Sequence, residues 1–430
     1  MQDYNGKRRF NFAPPWILFV ALLSCAGLAF AQQPAVRITL DQAIQFALQH
    51  NHALEAARST IRQNQAQEIT ANLRPNPTLS WDTQFLPLFN LSQFNWSYIN
   101  SSAQFDVGVG YTFERGQKRQ HRLQAAQDQT TVSRSQVTDN QRTLTFNVAQ
   151  QFVAVLLAQS MIELAQQNLA SFQQTVELST EQARAGAISE GDAIKIKLQL
   201  LQFQTDVSSA KLSKVQALAA LRQFVGFESV PQDYDVDGTL DYQAVHGDLE
   251  ALKMLAVSSR PDLQAARQSI AAARSQQSLA AANGKRDLDV SFNYSHVAEI
   301  NSGAFFFNMQ IPIFDRNQGE IARTQAAITQ SQELAAEANE QVLSDVINAY
   351  EGVRTNDQII GLYRSGYLDQ STQSRDISQY AYQRGAASLL DYLDAERSYR
   401  ANQLAYRQAL ANYMVTLEQL REAVGTRSLP

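Results

Sequence analysis

The chain has 430 residues, with 36 lysines and arginines against 41 aspartates and glutamates, and a formal net charge of −5. This balance leaves no broad basic surface, which disfavours nucleic acid as a partner. The presence of one cysteine excludes a disulfide framework and a cysteine-based zinc site. Because 44% of the residues are hydrophobic and 18% are charged, the chain does not belong to the disordered class.

The N-terminus has the features of a secretory signal peptide. Lys7-Arg8-Arg9 precede an apolar run, Trp16–Phe30, that is too short for a membrane-spanning helix. The run ends at Ala29-Phe30-Ala31, a small-x-small cleavage signature, so Gln32 is the expected first residue of the mature chain. We therefore interpret residues 1–31 as a signal peptide and expect an exported protein.

Cys25 allows a second interpretation of the same segment. It follows Leu22-Leu23-Ser24, which is similar to a lipoprotein box, and cleavage there would leave Cys25 as a lipidated N-terminus. The large side chain of Leu23 and the apolar residues that continue to Phe30 favour removal of Cys25 with the signal peptide. Beyond the signal, no stretch of 18 consecutive apolar residues occurs, so we expect no transmembrane helix.

Four blocks of sequence recur in the same order at offsets that fall from 209 to 199, as small loop deletions would produce. Such ordered recurrence indicates two copies of one unit. We predict an internal tandem duplication, with a first structural repeat at 32–247 and a second at 248–430. The matched segments are Leu54–Arg58 with Leu263–Arg267, Phe113–Arg115 with Phe314–Arg316, Gly186–Asp192 with Gly385–Asp391, and Ala220–Gly226 with Gln419–Gly425.

Each copy is predicted to contain an opening helix, two strands, a very long helix and a returning helix. In the first copy the long helix, Gln117–Gln182, contains no proline or glycine and would extend ~100 Å at 1.5 Å per residue. The corresponding stretch of the second copy, Glu320–Gln383, is also predicted to be helical, although it contains three glycines, which a helix tolerates at some cost. Helices of this length favour a coiled coil of paired helices over a compact domain. The remaining predicted helices are Leu40–Asn72, Glu190–Phe224 and Leu389–Ala423.

Four segments alternate strictly between apolar and polar residues, which predicts strands with one face of each kind. Each segment has roughly the length that a tilted strand needs to cross a bilayer. A soluble sheet packed on helices would give the same alternation, but the export signal and the long helices favour the membrane. The segments are 79–85, 105–113, 288–295 and 305–313.

Four strands cannot close a membrane barrel, because unpaired backbone groups cannot face lipid. The smallest spanning barrels have about eight strands. The sequence therefore predicts an oligomer, in which a dimer would supply eight strands and a trimer twelve, and the strand count alone does not choose between them.

The two-copy plan and three motifs together resemble the TolC-type outer-membrane efflux proteins. The motifs are Arg74–Leu79, Ile311–Gly319, and Gly385 followed by Asp391–Ala395, and the likeness extends over residues 36–426. The resemblance implies a mainly α protein with a membrane β-barrel. Its trimer would form a twelve-stranded outer-membrane barrel that continues into a long α-helical coiled-coil tunnel in the periplasm.

The same resemblance implies partners and a cargo. The partners would be a periplasmic adaptor (membrane fusion) protein and an inner-membrane pump of the resistance–nodulation–division type. Phe314–Gly319 is most similar to the subfamily that works with cobalt–zinc–cadmium exporters, so heavy-metal cations are one expected cargo. Type I protein secretion and efflux of organic compounds are alternatives within the pore class. A periplasmic coiled-coil adaptor or scaffold is the alternative from a different class.

The family carries its gate at the periplasmic tips, where the helices reverse direction. The resemblance therefore implies that the turns hold the adaptor contacts. Arg184 and Gly186 lie in the first turn, and Arg384 and Gly385 lie in the second.

Asp391 and Asp394 match the family's Asp-x-x-Asp motif just after the second tip, and the spacing i, i+3 places them on one helix face. A threefold axis would gather six carboxylates into a cation-selective constriction, which makes these two residues the expected periplasmic gate. The first copy retains only Asp192 and has Lys195 at the second position. The alternative is that both acids are solvated helix-start residues favoured by the helix dipole.

No other motif predicts chemistry. His50 and His52 are two residues apart and do not share a helix face, so no metal site is expected there. The sequence contains no phosphate-binding glycine loop, nucleophile elbow or His-Glu zinc motif. We therefore expect neither an enzyme nor a bound cofactor.

Overall fold

A computed structural model describes residues 36–244 and 247–429, so the predicted signal peptide and Cys25 lie outside the described residues. Both halves of the chain contain two opening helices, two strands, a long helical stretch and a returning helix, in that order. The described residues form ten α-helices: α1 Leu40–His50, α2 His52–Ala71, α3 Trp96–Ser102, α4 Lys118–Arg184, α5 Glu190–Val225, α6 Leu249–Ser259, α7 Pro261–Asn283, α8 Gln318–Leu362, α9 Leu368–Gln383 and α10 Leu389–Val424.

The strands of the described residues form two sheets. In the smaller sheet, β1 pairs in parallel with β4. The larger sheet is antiparallel in the order β2-β3-β5-β6, so β2 and β6 are its two edges. The strands are β1 Arg37–Ile38, β2 Thr78–Gln84, β3 Gln104–Phe113, β4 Asp235–Val236, β5 Leu288–Val297 and β6 Ile300–Asn308.

The larger sheet has one apolar and one polar face. Trp81 lies opposite Val107 across β2 and β3, and Trp81 is 76% exposed. The next pair along the same strands, Asp82 and Asp106, is acidic and lies on the other face. A soluble sheet packed on helices would bury its apolar side chains, whereas here they are uncovered.

The prediction for the last strand is wrong at both ends. β6 spans Ile300–Asn308, whereas the alternation indicated 305–313. Ala298 and Glu299 have φ values of 49° and 68° and form a tight turn that begins β6 directly after β5. The ladder ends where Asn308 pairs with Asp289, because Leu288 is the only residue of β5 that remains to pair with the segment after Asn308.

Each half opens with two helices in place of one continuous helix, so the single predicted helix Leu40–Asn72 is wrong in this respect. Asn51 ends α1 and begins α2, and its Oδ1 accepts the N–H of Leu54 at 3.0 Å. Arg260, 209 positions later, divides α6 from α7 in the same extended conformation. The asparagine side chain competes with the helical backbone for hydrogen bonds, and Pro261 disfavours a helical residue before it.

The long helices differ between the halves. α4 has 67 residues without a break, about 100 Å at 1.5 Å per residue, as predicted. The second stretch passes from α8 through a π-helical segment, Tyr363–Tyr367, into α9. Gly366 has a φ of 114° there, a conformation that residues with side chains rarely adopt. The returning helices α5 and α10 have 36 residues each and start and end close to their predicted bounds.

α4 contains one 18-residue window with a mean hydropathy of 1.4, enough by length and composition to cross a membrane. The absence of 18 consecutive apolar residues had predicted no such helix, and 44% of the window is buried inside the chain. Val148, Phe152 and Val155 of α4 lie in a core cluster with Leu221 and Val225 of α5. The apolar centre of α4 is thus explained by helix packing.

Candidate functional site at the helix tips

The first helical hairpin turns between α4 and α5. α4 ends at Arg184, which pairs with Glu181 at 2.7 Å, and Gly186 follows with a φ of 72°. Glycine suits this turn because its left-handed conformation strains other residues. Ser189 then caps α5 by accepting the N–H of Asp192 at 3.0 Å. The structure thus places Arg184 and Gly186 in a turn at the end of the molecule's longest helix.

The second hairpin turns in the same way between α9 and α10. Gly385 has a φ of 71°, and the Arg384 guanidinium lies 5.1 Å from the centre of the Tyr380 ring. Ser388 Oγ accepts the N–H of Asp391 at 3.2 Å, and Asp391 Oδ2 accepts the N–H of Ser388 at 3.1 Å. Hydrogen bonds from the Ser388 hydroxyl and N–H lower the pKa of Asp391. Asp391 is therefore an ionised member of a reciprocal helix cap.

Asp394 lies one turn further along α10 and is exposed. Within the described part of the chain, its carboxylate makes no ion pair and no hydrogen bond. In the first hairpin the corresponding residue is Lys195, which pairs with Asp192 at 3.1 Å. The helix-start interpretation thus accounts for Asp391 but leaves the charge of Asp394 unexplained.

The two hairpins pack against each other through an aromatic cluster. The rings of Phe172 on α4 and Phe203 on α5 stack at 4.3 Å, and those of Tyr382 and Tyr392 stack at 5.6 Å. The Tyr392 hydroxyl lies 3.2 Å from Oγ1 of Thr175 on α4, which joins the second hairpin to the first. Burial raises the pKa of Tyr392 to about 12, so this hydroxyl stays protonated at neutral pH. The tips therefore form one packed four-helix unit.

Glu396 is a buried acid that follows the exposed Asp391 and Asp394 on α10. Its side chain is only 7% exposed, and burial raises its pKa. The nearby Arg375 is held by Asp376 at 2.6 Å, and Arg400 is held by Asp206 at 3.3 Å. Glu396 therefore has no ion pair of its own within the described residues.

Sequence reasoning missed Glu396 and Tyr392, although one signal was available. Inward-facing positions of α10 recur at alternating spacings of four and three residues, as in a coiled-coil seam. Glu396 occupies one of these positions, where a charged residue is unusual. The seam positions are Tyr392, Glu396, Tyr399, Gln403, Tyr406, Leu410 and Tyr413.

The described residues contain no cluster of three or more histidine, cysteine, aspartate or glutamate side chains able to hold a metal ion. His50 ends α1 and His52 begins α2, on either side of Asn51. The structure thus provides no group to hold a resident metal among the residues it describes.

Comparison with known proteins identifies the chain. The model of the family described as outer membrane efflux protein matches residues 43–227 and 253–426, well over half of the sequence. The chain belongs to the outer membrane efflux protein family. This confirms the predicted resemblance to TolC-type proteins, the outer-membrane location and the efflux role. The family is one of transport proteins and not of enzymes.

Two relatives and one crystal structure show the range of similarity. The pyoverdine export outer membrane protein OpmQ of Pseudomonas putida is 25% identical over 413 residues, 90% of this chain and 85% of OpmQ. The cation efflux system protein CusC of Escherichia coli K12 is 26% identical over 279 residues, 59% of this chain and 58% of CusC. A crystal structure of CusC aligns with a TM-score of 0.75 at 19% identity, over 93% of this chain and 96% of CusC. The chain therefore shares the fold of this outer-membrane channel.

Proposed function

We propose that three copies of the mature chain form the outer-membrane channel of a tripartite efflux system. The observation that carries this proposal is the four-stranded sheet, which has two free edges and an exposed apolar face. Lipid cannot hydrogen-bond to strand edges, so β2 and β6 must pair with other copies. Three copies supply twelve strands, enough for a barrel with an open lumen.

Cross-linking between edge strands tests this assembly. β2 runs away from the helices and β6 returns towards them, so β2 of one copy and β6 of the next would be antiparallel neighbours. We expect Thr83→Cys, combined in turn with cysteine at Asn301, Ser302 or Gly303, to give covalent trimers in at least one pairing. Each single-cysteine variant is the matched control. Covalent dimers without trimers would replace the proposed trimer with an eight-stranded dimer, and a soluble monomer would contradict both.

We infer that the helical tips contact a periplasmic adaptor, which connects the channel to an inner-membrane pump. The described part of the helical region extends about 100 Å from the barrel to the turns at Gly186 and Gly385, far enough to reach deep into the periplasm. Arg184 and Arg384 lie at those turns. Their guanidinium groups are suited to carboxylates on an adaptor.

Asp391 and Asp394 are proposed as the gate of the closed tip. All the hydrogen bonds that Asp391 accepts from Ser388 use Oδ2, and Asp394 accepts none from the residues that the structure describes. Threefold symmetry would gather these charges around one axis, where they would attract divalent cations and repel one another when unbridged. Opening would then require the hairpins to separate.

Heavy-metal cations are the proposed cargo. Two observations support this proposal: the relative CusC is a cation efflux system protein, and Asp82 and Asp106 form an acidic pair on the polar face of the sheet. OpmQ is described as a pyoverdine exporter, so efflux of organic compounds is the second candidate. Uptake and efflux assays with and without the chain would separate the two, because only the cognate cargo should accumulate when the channel is deleted.

The two structural repeats, 32–247 and 248–430, are proposed to derive from a tandem duplication. The repeated order of elements and the two matched segments of the family model support this proposal. So does the recurrence of a helix break at Asn51 and at Arg260.

A further inference from the structure

Cationic and aromatic side chains meet at the end of the larger sheet where its strands connect to the long helices. We call this surface the border patch and define it by Phe113, Arg115, Lys285, Phe314 and Arg316. These residues come from the end of β3, the turn before β5 and the turn before α8. The border patch lies where the exposed apolar face of the sheet ends.

Two of the three segments that form the border patch contain the repeated motif Phe-acid-Arg. In both copies the acid already forms an ion pair with another arginine. Glu114 pairs with Arg122, and Asp315 pairs with Arg286 at 3.4 Å. The two phenylalanines, in contrast, are displayed: Phe113 is 51% exposed and Phe314 is 90% exposed. The arginine that follows each acid is exposed as well. Both halves of the chain therefore present an aromatic ring and a guanidinium group together.

Close contacts bring the parts of the border patch together. Nη1 of Arg115 lies 3.4 Å from Sδ of Met309, which follows β6 and is itself 52% exposed. A Cβ atom added to Gly116 would lie 2.6 Å from Cδ of Lys285, so the lysine side chain passes directly over this glycine. A Cβ atom on Gly284 would lie 2.7 Å from the carbonyl oxygen of Arg316. The three cationic segments thus form one continuous surface.

The cations of the border patch are not paired with acids of residues 36–244 or 247–429. Among the described residues, Arg115, Lys285 and Arg316 take part in no ion pair. The carboxylate of Asp287 is already engaged by Lys118 at 2.7 Å and by the backbone N–H of Arg115 at 2.9 Å. Three free cations at one border contrast with the net charge of −5 for the whole chain.

We propose that the border patch binds the phosphate groups of anionic phospholipids in the leaflet that faces the periplasm. Guanidinium groups match phosphate oxygens in bidentate geometry, and cations just outside an apolar belt lie at headgroup depth. Phe113, Phe314 and Met309 would contact the glycerol and upper acyl chain, which a free phosphate ion lacks. The inference rests on the proposed function, because the sheet must be part of a membrane barrel.

Lipid titration tests the proposal. The purified protein, in whatever oligomeric state cross-linking finds, is titrated in mild detergent with phosphatidylglycerol and separately with phosphatidylcholine, and bound lipids are counted by native mass spectrometry. We expect phosphatidylglycerol to bind more tightly than phosphatidylcholine. Arg115→Gln/Arg316→Gln should weaken phosphatidylglycerol binding roughly 25-fold, the factor that ~1 kcal/mol for each of two cations gives, and leave phosphatidylcholine unchanged.

Arg323→Gln is the matched control, because Arg323 is also an exposed arginine but is held by Glu320 at 2.6 Å. It should bind lipid like the wild type. Arg115→Lys/Arg316→Lys keeps the charge and should retain most of the binding, and added salt should weaken lipid binding to the wild type. Equal affinity for both lipids, or displacement of lipid by inorganic phosphate, would overturn the proposal. A wild type that is not a trimer would contradict the proposed assembly. It would not contradict the border-patch proposal, because the titration measures lipid binding in any oligomeric state.

Discussion

Asn51 and Arg260 make the same connection in the two halves of the chain. Each residue separates two opening helices, and each donates a side-chain hydrogen bond to a carbonyl near the end of a returning helix. Asn51 Nδ2 donates to the Phe224 oxygen at 3.1 Å, and Arg260 Nη1 donates to the Ala423 oxygen at 3.3 Å. Arg260 is 4% exposed and also binds Asp262 and Asp345. Both residues therefore hold an opening helix against the end of a returning one.

Substitution of Asn51 and substitution of Arg260 should lower the free energy of unfolding by different amounts. Arg260→Ala would leave Asp262 and Asp345 without their shared partner and should lower the free energy of unfolding by ~3–5 kcal/mol. Asn51→Ala removes a helix cap and should cost ~1–2 kcal/mol. Urea unfolding of the detergent-solubilised protein measures both. Equal costs would show that the arginine network adds nothing beyond the cap.

The two faces of the larger sheet should differ in their tolerance of charge, because only the apolar face would contact lipid in the proposed barrel. Val109→Arg would place a cation on the exposed apolar face and should hinder assembly, at a cost of ~2–4 kcal/mol near mid-bilayer. Ser291→Arg lies on the opposite face beside Gly110, which has no side chain to obstruct it, and should assemble normally. The measurement is the yield of heat-sensitive oligomers in outer-membrane fractions. Equal yields would show that this face does not contact lipid.

The gate proposal predicts a cation block that depends on two carboxylates. In planar bilayers, divalent or trivalent cations added on the periplasmic side should block the wild-type channel, because the acids around the axis would bind them. Asp391→Ala/Asp394→Ala should abolish the block while oligomers still form. Asp192→Ala is the matched control and should change nothing, because Lys195 already pairs with that acid. A double variant that is blocked like the wild type would place the constriction elsewhere.

Glu396 should make the tip more stable in acid than at neutral pH. Its pKa in the folded chain is raised by burial, so the folded state binds the proton more tightly than the unfolded state. The contribution of Glu396 to stability is therefore fully present below its pKa in the unfolded chain, about 4.5, and is lost as the pH rises through its pKa in the folded chain. Glu396→Gln is always neutral and should raise the melting temperature by roughly 2 °C at pH 7.5, with a difference that shrinks towards pH 4.5. Melting curves followed by circular dichroism measure this, and a lower melting temperature for the variant would show that Arg375 and Arg400 stabilise the ionised form.

The sequence predicted most of the elements because period-two and period-3.6 patterns, prolines and glycines are local signals. These signals located α4, the turns at Gly186 and Gly385, and three of the four strands of the larger sheet. The helix breaks at Asn51 and Arg260 were missed, since they depend partly on contacts with Phe224 and Ala423 far along the chain. The capping role of Asp391 depends on the local partner Ser388, so the sequence could offer it as one of two alternatives.

The burial of Glu396 was missed because several helices create it. Its surroundings include Arg375 and Asp376 on α9 and Arg400, which pairs with Asp206 on α5. A seam pattern along α10 identifies the position, but only the packed tip determines that its neighbouring cations are already engaged.

The π-helical segment at Tyr363–Tyr367 makes the two hairpins mechanically different. The equivalent stretch of α4, Leu164–Asn168, is regular helix, so backbone amide exchange should be faster at Tyr363–Tyr367 than at Leu164–Asn168. Gly366, with its φ of 114°, can take up a change of direction that an unbroken helix resists. In the proposed ring of three copies, hairpins with an unbroken helix would alternate with hairpins that contain the π-helical segment. A force applied at the tips would then bend every second hairpin, while the hairpins between them would keep their direction.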